Sequence, residues 1–427
     1  MKKTGLLLLF FYQTSLAQTS CDSTRLPVVF VHGFMGGGDN WATQVQRFSS
    51  RGYCEDRLFV FDWNTIGRQN SDSLMNVFID GVLRKTNSGQ IDLVAHSAGG
   101  GLSYAYLKDS LHARKVAHYI HIGSMKMPAP PGKHGEVPTM NIYSVDDMVM
   151  RGASDIFGAT NIRETSYDHL QVATCAASFS HIYAFLTGSR ERVNTAIDTV
   201  KDEMRIMGGK AMLLAENTPL SQDSFRVFLI DPRTGTRISN KGSFKDGSIS
   251  GWRTFGIDGS WGLQVHRDNY TEFEMRTGSG RPLFYYFEPL VRNNRNVYLR
   301  GLPTRGMVAT FLGKIPNDSI QTALVIFSGN SAVIAGRDTL AIDSIPLSLP
   351  ELMPASKTSI ATFLYDDGDR VSSGKALKSL SMAPFLTGVD VFIKSEEGKT
   401  MRIYYNGRSI VLPKRKSREG IMIVVFN

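Results

Sequence analysis

The stretch that most constrains the fold runs from Ile91 to Gly101: Ile91, Asp92, Leu93, Val94, Ala95, His96, Ser97, Ala98, Gly99, Gly100, Gly101. A short apolar run stops at a serine set between small residues, and a helix-forming stretch follows. A strand turns into a helix this abruptly only when the residues two positions either side of the serine carry almost no side chain. Here they are Ala95, one size up from the usual glycine, and Gly99; Gly100 and Gly101 add room where the helix must approach the sheet. This is the sequence form of a nucleophile elbow, which holds the serine Oγ above a sheet on strained backbone. A plain strand-to-helix turn with a serine cap reads the same way locally, so the rest of the chain decides.

Val28 to Val31 is a continuous β-branched and aromatic run, the mark of a strand buried on both faces of a parallel sheet. It opens into His32-Gly33-Phe34-Met35-Gly36-Gly37-Gly38. That loop lacks the Lys-Ser/Thr of a phosphate loop and the spacing of a dinucleotide fingerprint. It suits an oxyanion loop: a strand, His-Gly, then a residue whose amide faces the reacting carbonyl. A helix over 41–51, a strand over 58–62 and a helix over 71–86 precede the elbow. After it come a helix whose Leu102, Ala105, Tyr106 and Asp109 form a largely apolar stripe, a strand over 116–122, a strand from Thr139 ending near Asp146 and Asp147, and a helix over 172–186. Alternation with short links predicts an open, mostly parallel α/β sheet flanked by helices, whose active groups gather at the carboxyl ends of strands. Ser97, Asp147 and His169 all fall at such ends, in the order serine, acid, histidine.

Only one of the nine histidines can serve as base. His32 belongs to the glycine-rich loop and His96 is the elbow's neighbour, pointing away from the serine. His118 and His121 sit inside a strand, at a spacing that is not a metal pattern; His181 lies on the helix after His169. His169 alone follows the acid strand and precedes a helix of the same unit. Of the acids, Asp147 is favoured as the residue directly before Met148, with Asp146 as the alternative; Asp168 adjoins His169 and cannot easily reach round to its Nδ1.

A chain of 427 residues suits two or three domains. Met1-Lys2-Lys3, an apolar run from Gly5 to Tyr12 and Ser15-Leu16-Ala17 read as an export signal cut after Ala17, and the run is too short to span a bilayer. Export to the periplasm or the medium permits a disulfide. Cys21 and Cys54 each precede a strand expected to be parallel neighbours, which puts both at one sheet edge and predicts a bridge contributing about 3–4 kcal/mol. Cys175 falls on the last helix as a buried free thiol. The net charge of +9 favours anionic surfaces or polymers. The densest basic run, Lys414 to Arg418, has no interleaved aromatics and reads as a solvated turn rather than a nucleic-acid site.

After Gly188 the helical patterns fade. Runs at 225–230, 283–287, 307–312, 322–327 and 390–393 read as strands, and Asn406-Gly407 between 401–405 and 408–412 marks a type I′ hairpin. The expected division is a leader at 1–17, a catalytic domain at 18–204, a sandwich-like domain at 205–294 and a second β-rich domain at 295–427. Asp366-Asp367-Gly368-Asp369 reads as an acidic hairpin turn, with calcium binding as the rival. Trp252, Trp261 and Tyr285 fill cores or, if exposed, grip a lipid or polymer.

Taken together, Val31-His32-Gly33-Phe34, Ala95-His96-Ser97-Ala98-Gly99 and Ile142 to Met148 resemble the α/β-hydrolase superfamily. Within it they are similar to small bacterial lipases that carry alanine at the first elbow position. That resemblance covers roughly residues 25 to 190 and carries the acid over to Asp147. A catalytic half followed by a long β-rich tail is also similar to an archaeal lipase with an appended C-terminal β-domain, through His169 to Val172 and the Gly209-Lys210-Ala211 region. The chain departs from that relative at Gly123-Ser124, where its acid would stand. The resemblance implies ester or lipid substrates, acyl transfer through Ser97, His169 and Asp147 without metal or organic cofactor, an oxyanion held by the backbone N–H groups of Phe34 and Ala98, and a substrate-holding β-region. The segments 63–71 and 125–138 are too short for a helical lid, so an open site is expected. An acyltransferase, or a polyester or peptide hydrolase, would use the same triad. The contrasting class is a surface or polymer-binding protein on an inactive scaffold, which Ser97, Asp147 and His169 argue against.

Overall fold

Val28–Val31 (β1), Leu58–Phe61 (β2), Ile91–His96 (β3), Val116–Ile122 (β4), Thr139–Ser144 (β5) and Thr160–Glu164 (β6) form one parallel sheet in the order β2-β1-β3-β4-β5-β6. The computed structural model describes residues 21–67, 70–221, 223–238, 251–277, 280–312 and 314–426; the expected leader at 1–17 lies outside them. The helices Ala42–Ser50 (α1), Ser71–Thr86 (α2) and Ala98–Leu107 (α3) follow β1, β2 and β3. The chain runs outward from β1 to β2 and then returns to β3 on the other side of β1. This reversal opens a crevice at the carboxyl ends of β1 and β3. The register pairs Val31 with Ala95, so the loop from His32 and the turn at Ser97 leave the sheet at the same level. β1 and β3 are buried along their whole length, as their apolar runs require.

Some local expectations need correction. β6 was not foreseen, because Thr160-Asn161-Ile162-Arg163-Glu164 is a partly exposed edge strand with no apolar run to mark it. The helix over 172–186 is two helices, Gln171–Thr174 and Ala176–Thr187, broken at Cys175, whose extended backbone (ψ 163°) begins the second. The Cys175 sulfur accepts from Ser178 N at 3.4 Å, so the half-buried free thiol caps a helix rather than lying inside one. Cys21 and Cys54 are bonded to each other.

Beyond residue 204 the described residues build a nine-stranded mixed sheet, a three-stranded sheet of Met204–Leu213, Ser260–His266 and Asn294–Gly301, and a four-stranded sheet carrying the 400–413 hairpin. In that hairpin Asn406 (φ 46°) and Gly407 (φ 79°) both take the left-handed backbone of a type I′ turn. The division at Asn294 does not hold. Leu283–Phe287 and Leu324–Ser328 both pair with the final strand Ile421–Phe426, so one sheet spans the expected boundary. One hydrophobic cluster likewise joins Phe273, Val297, Phe363 and Ile423. Residues 306–312 form a helix, not a strand: Val308 and Leu312, four positions apart, are both buried, a period that a six-residue run cannot reveal. Arg415, read as part of a solvated turn, instead bonds the buried Glu272 carboxylate at 3.0 and 3.1 Å and approaches the Tyr286 hydroxyl at 3.2 Å.

The two halves meet through polar contacts as well as packing. Asp62, at the end of β2, accepts from Lys210 Nζ at 2.8 Å, from Tyr298 OH at 2.7 Å and from Gly38 N at 2.9 Å. Arg300 pairs with Asp39, and Arg337 donates to Asp168 at 2.7 Å. Among the described residues no helix is long and apolar enough to cross a membrane.

Candidate active site

Ser97 stands between β3 and α3 with φ 55° and ψ −124°, a left-handed backbone that a non-glycine residue adopts only where its surroundings enforce it. The surrounding space explains the small residues around it. A Cβ on Gly99 would stand 2.5 Å from His32 O, one on Gly100 2.4 Å from Ser124 Oγ, and one on Gly33 2.8 Å from Ser97 Cβ. Each is closer than atoms can approach. Ser97 N donates to Ile122 O at 2.9 Å and Ser124 Oγ to Ser97 O at 2.7 Å, so β4 helps hold the turn.

His169 lies beside it. Its Nε2 is 2.8 Å from Ser97 Oγ and its Nδ1 is 2.7 Å from Asp147 Oδ2, a continuous serine–histidine–carboxylate chain. Asp147 and His169 are 2% and 4% exposed, so the ion pair formed on proton transfer would be shielded from water. The second carboxylate oxygen, Oδ1, accepts from Val149 N and Met150 N, both at 2.9 Å. Burial works to raise the Asp147 pKa, but His169 and these two amides outweigh it and hold the carboxyl below its ordinary value. Asp146 is not brought to the histidine; it accepts from Ser166 N at 2.6 Å. Asp168 is bound by Leu170 N, Gln171 N and Arg337 and does not serve Nδ1.

Three other histidines have partners of their own. His96 Nε2 is 2.7 Å from the His169 carbonyl, which makes it a donor that steadies His169 from behind; burial, then the nearby His169, lowers its pKa to about 3. His121 bonds Tyr119 OH and Met125 O, and burial lowers it to about 4. His118 pairs with Asp92 at 2.8 Å.

The pocket over Ser97 is lined by Gly33, Phe34, Asn40, His169 and, from the far half of the chain, Thr358, Ile360 and Phe385. The expectation of an uncovered site is corrected to this extent: the β-half forms one of its walls. Phe385 lies nearly parallel to the His169 ring, centroids 6.2 Å apart and planes at 15°, and 6.3 Å from Phe34. Both Thr358 (φ 51°) and Phe385 (φ 63°) hold left-handed backbone, which is costly for a β-branched or aromatic residue. Lys357 Nζ binds the carbonyls of Leu380, Ser381 and Ala383 and so clamps the two loops together.

His96 on the His169 carbonyl, Phe385 on the His169 ring and Arg337 on Asp168 are contacts that reading the chain alone did not assign. The dipeptide His96-Ser97 placed His96 beside the elbow; Phe385 and Arg337 lie far along the chain from the residues they touch. The aromatic candidates divide: Trp261 and Tyr285 are buried in the β core. Trp252 is half-exposed between the guanidiniums of Arg226 and Arg276, at 4.9 and 4.2 Å. None of the three lines the Ser97 pocket. Asp366 uses its carboxylate on Gly368 N and Arg370 N, as an acidic turn does.

Residues 25–115 match the family described as lipase (class 2), and residues 202–302 match a lipase C-terminal domain. Among solved structures, the chain is similar to the mature form of a Bacillus licheniformis lipase, with 13% identity and a TM-score of 0.32 over 39% of this chain and 94% of that one. An esterase from Rhodococcus sp. ECU1013 gives 14% identity and a TM-score of 0.30 over 39% and 92%. An epoxide hydrolase from Vigna radiata gives 13% and 0.29 over 40% and 93%.

Proposed function

We propose that this chain, an α/β-hydrolase of the lipase and esterase group with a lipase C-terminal domain, hydrolyses carboxylic esters through a Ser97–His169–Asp147 triad. The observation that carries the reading is the unbroken run of hydrogen bonds from Ser97 Oγ through both ring nitrogens of His169 to Asp147. In the first step Ser97 Oγ attacks the ester carbonyl while its proton passes to His169 Nε2. Asp147, bonded to Nδ1–H, keeps that tautomer and stabilises the imidazolium. The tetrahedral oxyanion is held by the backbone N–H groups of Phe34 and Ala98, where one such donor is worth roughly 3–4 kcal/mol. The imidazolium then gives its proton to the leaving alkoxide. Water, deprotonated by the same nitrogen, attacks the acyl-enzyme and frees the acid. Every proton in this cycle is carried by His169, and no metal or organic cofactor takes part.

The test is a panel of nitrophenyl esters, the matching anilides and acceptor alcohols, run alongside fluorophosphonate labelling of wild type and Ser97→Ala. Ester turnover with labelling confined to Ser97 is expected. A preference for the anilides would instead indicate a peptidase, and transfer to the alcohols over water an acyltransferase.

The reading includes a site without a mobile helical lid. Phe385, Ile360 and Thr358 form a wall fixed by the Lys357 clamp rather than a flap. Rate on a short triglyceride should therefore rise smoothly through its solubility limit; an abrupt jump there would mean that a cover has to open.

The reading also places the protein in the periplasm or the medium. It rests on the leader pattern from Met1 to Ala17 and on the Cys21–Cys54 bond, which needs an oxidising compartment. Edman sequencing of the exported protein should begin at Gln18. Recovery of the activity only inside the cell, with Met1 intact, would contradict it.

A further inference from the structure

We propose that Asn217, carried by the C-terminal domain, is a positioning residue for the oxyanion hole of the catalytic domain. The proposal rests on the ester-hydrolase reading above and adds to it a residue from the other half of the chain. Asn217 donates from Nδ2 to Gly36 O at 3.0 Å and to Trp63 O at 2.9 Å, and the same nitrogen lies 3.3 Å from His32 Nε2. Two carbonyl partners fix the amide's orientation, because an oxygen in that place would face two acceptors. The residue is 7% exposed and sits at φ 51°, a backbone that asparagine tolerates better than most residues.

The consequence runs through His32. Trp63 N also donates to His32 Nε2, at 3.3 Å, so that nitrogen is an acceptor and carries no proton. The proton is therefore on Nδ1, which lies 2.9 Å from Gly33 O and donates to it. Burial, the largest influence on His32, lowers its pKa and keeps this neutral form. Gly33 O takes a second bond from Gly36 N at 3.1 Å. A trans peptide points its C=O and N–H in opposite directions. Holding Gly33 O from two sides therefore fixes the direction of the Phe34 N–H, the donor assigned to the oxyanion. Asn217 acts at both ends of this arrangement, on Gly36 directly and on His32 through Trp63, whose N–H binds the ring.

The turn that presents Asn217 is built for the contact. Ala215, two residues earlier, is also left-handed at φ 66° and fully buried. Its carbonyl accepts from Thr65 N at 3.2 Å and from Thr65 Oγ1 at 3.0 Å. Thr65 Oγ1 in turn accepts from the N–H of Met35, itself left-handed at φ 59°. Two strained residues of one turn thus brace a third in the oxyanion loop. Unfavourable backbone persists where its surroundings over-determine it, and it gathers at functional sites.

Asn217→Gly keeps the backbone conformation and removes the amide; Asn217→Asp keeps the size and replaces the donor with a carboxyl. For Asn217→Gly on a soluble nitrophenyl acetate, kcat should fall roughly 10- to 100-fold with KM changed less than about threefold, below the loss for deleting a hole donor outright. The inhibition constant of a trifluoromethyl ketone, whose adduct puts an oxyanion in the hole, should rise by about the factor by which kcat/KM falls. For Asn217→Asp, the ratio of variant to wild-type rate should increase as pH falls. There the buried carboxyl takes up a proton and regains a donor.

Unchanged kcat in folded Asn217→Gly overturns the proposal, as does a rate loss not matched by weaker ketone binding. Should Asn217→Gly fail to fold, a pH-independent ratio for Asn217→Asp overturns it. Failure of the ester-hydrolase reading shows separately, as wild-type protein that neither turns over the ester nor takes up fluorophosphonate.

Discussion

Ser97→Ala is expected to lower kcat/KM on a soluble nitrophenyl ester by roughly 10⁴- to 10⁶-fold, the scale reached when a nucleophile acting as one unit with its base is removed. The effect is this large because the variant loses the hydroxyl that His169, 4% exposed and bonded to a buried Asp147, would activate as nucleophile. Alanine leaves the glycine contacts around the elbow untouched, since those involve Gly33, Gly99 and Gly100. The melting temperature should therefore change little, and wild-type affinity for an unreactive substrate analogue should persist. Residual turnover above water should come from binding and the oxyanion hole alone. Retained fluorophosphonate labelling in the alanine variant would show that another residue is the nucleophile.

Asp62→Ala should produce the largest loss of stability among single changes at the junction of the two halves. The Asp62 side chain is 3% exposed and is Lys210's partner, and it also accepts from Tyr298 and Gly38 N. Removing one member of a buried pair while leaving the other in place costs about 3–5 kcal/mol. A chain with several domains does not unfold in one step. The measurement is therefore the first melting transition together with the rate of limited proteolysis near residue 204, which should rise. Replacing both members, with Asp62→Leu and Lys210→Met, should recover most of the loss, since no charge then remains unpaired.

The same carboxylate sets a pH dependence. Burial works to raise its pKa, but Lys210 and His32 outweigh it, so the folded value lies below the ordinary 3.8. A group with a depressed folded pKa contributes its full stability above the unfolded value and loses it as pH falls through the folded one. The gap between wild type and Asp62→Ala should hold steady above about pH 4 and close below it. A constant gap across that range would show that the charge plays no part.

The sheet and the triad were legible for one physical reason: local pattern carries them. β1 and β3 are continuous apolar runs buried on both faces, and α2 occupies Ser71–Thr86 as its apolar spacing requires. The elbow's glycines are dictated by contacts within a few ångströms of Ser97. The sequence favoured Asp147 over Asp146 by its place before Met148 and by resemblance; in the structure the two carboxylates differ in direction, one meeting His169 and the other Ser166 N.

The β-half was less readable because its decisive pairings are remote. The last strand, Ile421–Phe426, inserts between strands that begin at residues 283 and 324, and nothing in its composition names those neighbours. By itself, the sequence determined the parallel sheet, the order of Ser97, Asp147 and His169 and the glycine-rich loop before them, since each depends on residues near in the chain. Only the tertiary structure decided that the far half belongs to the site. Phe385 faces His169, Arg337 holds Asp168 and Asn217 reaches His32. Such contacts arise from the mutual packing of two finished units, and the spacing of residues along one chain does not encode them.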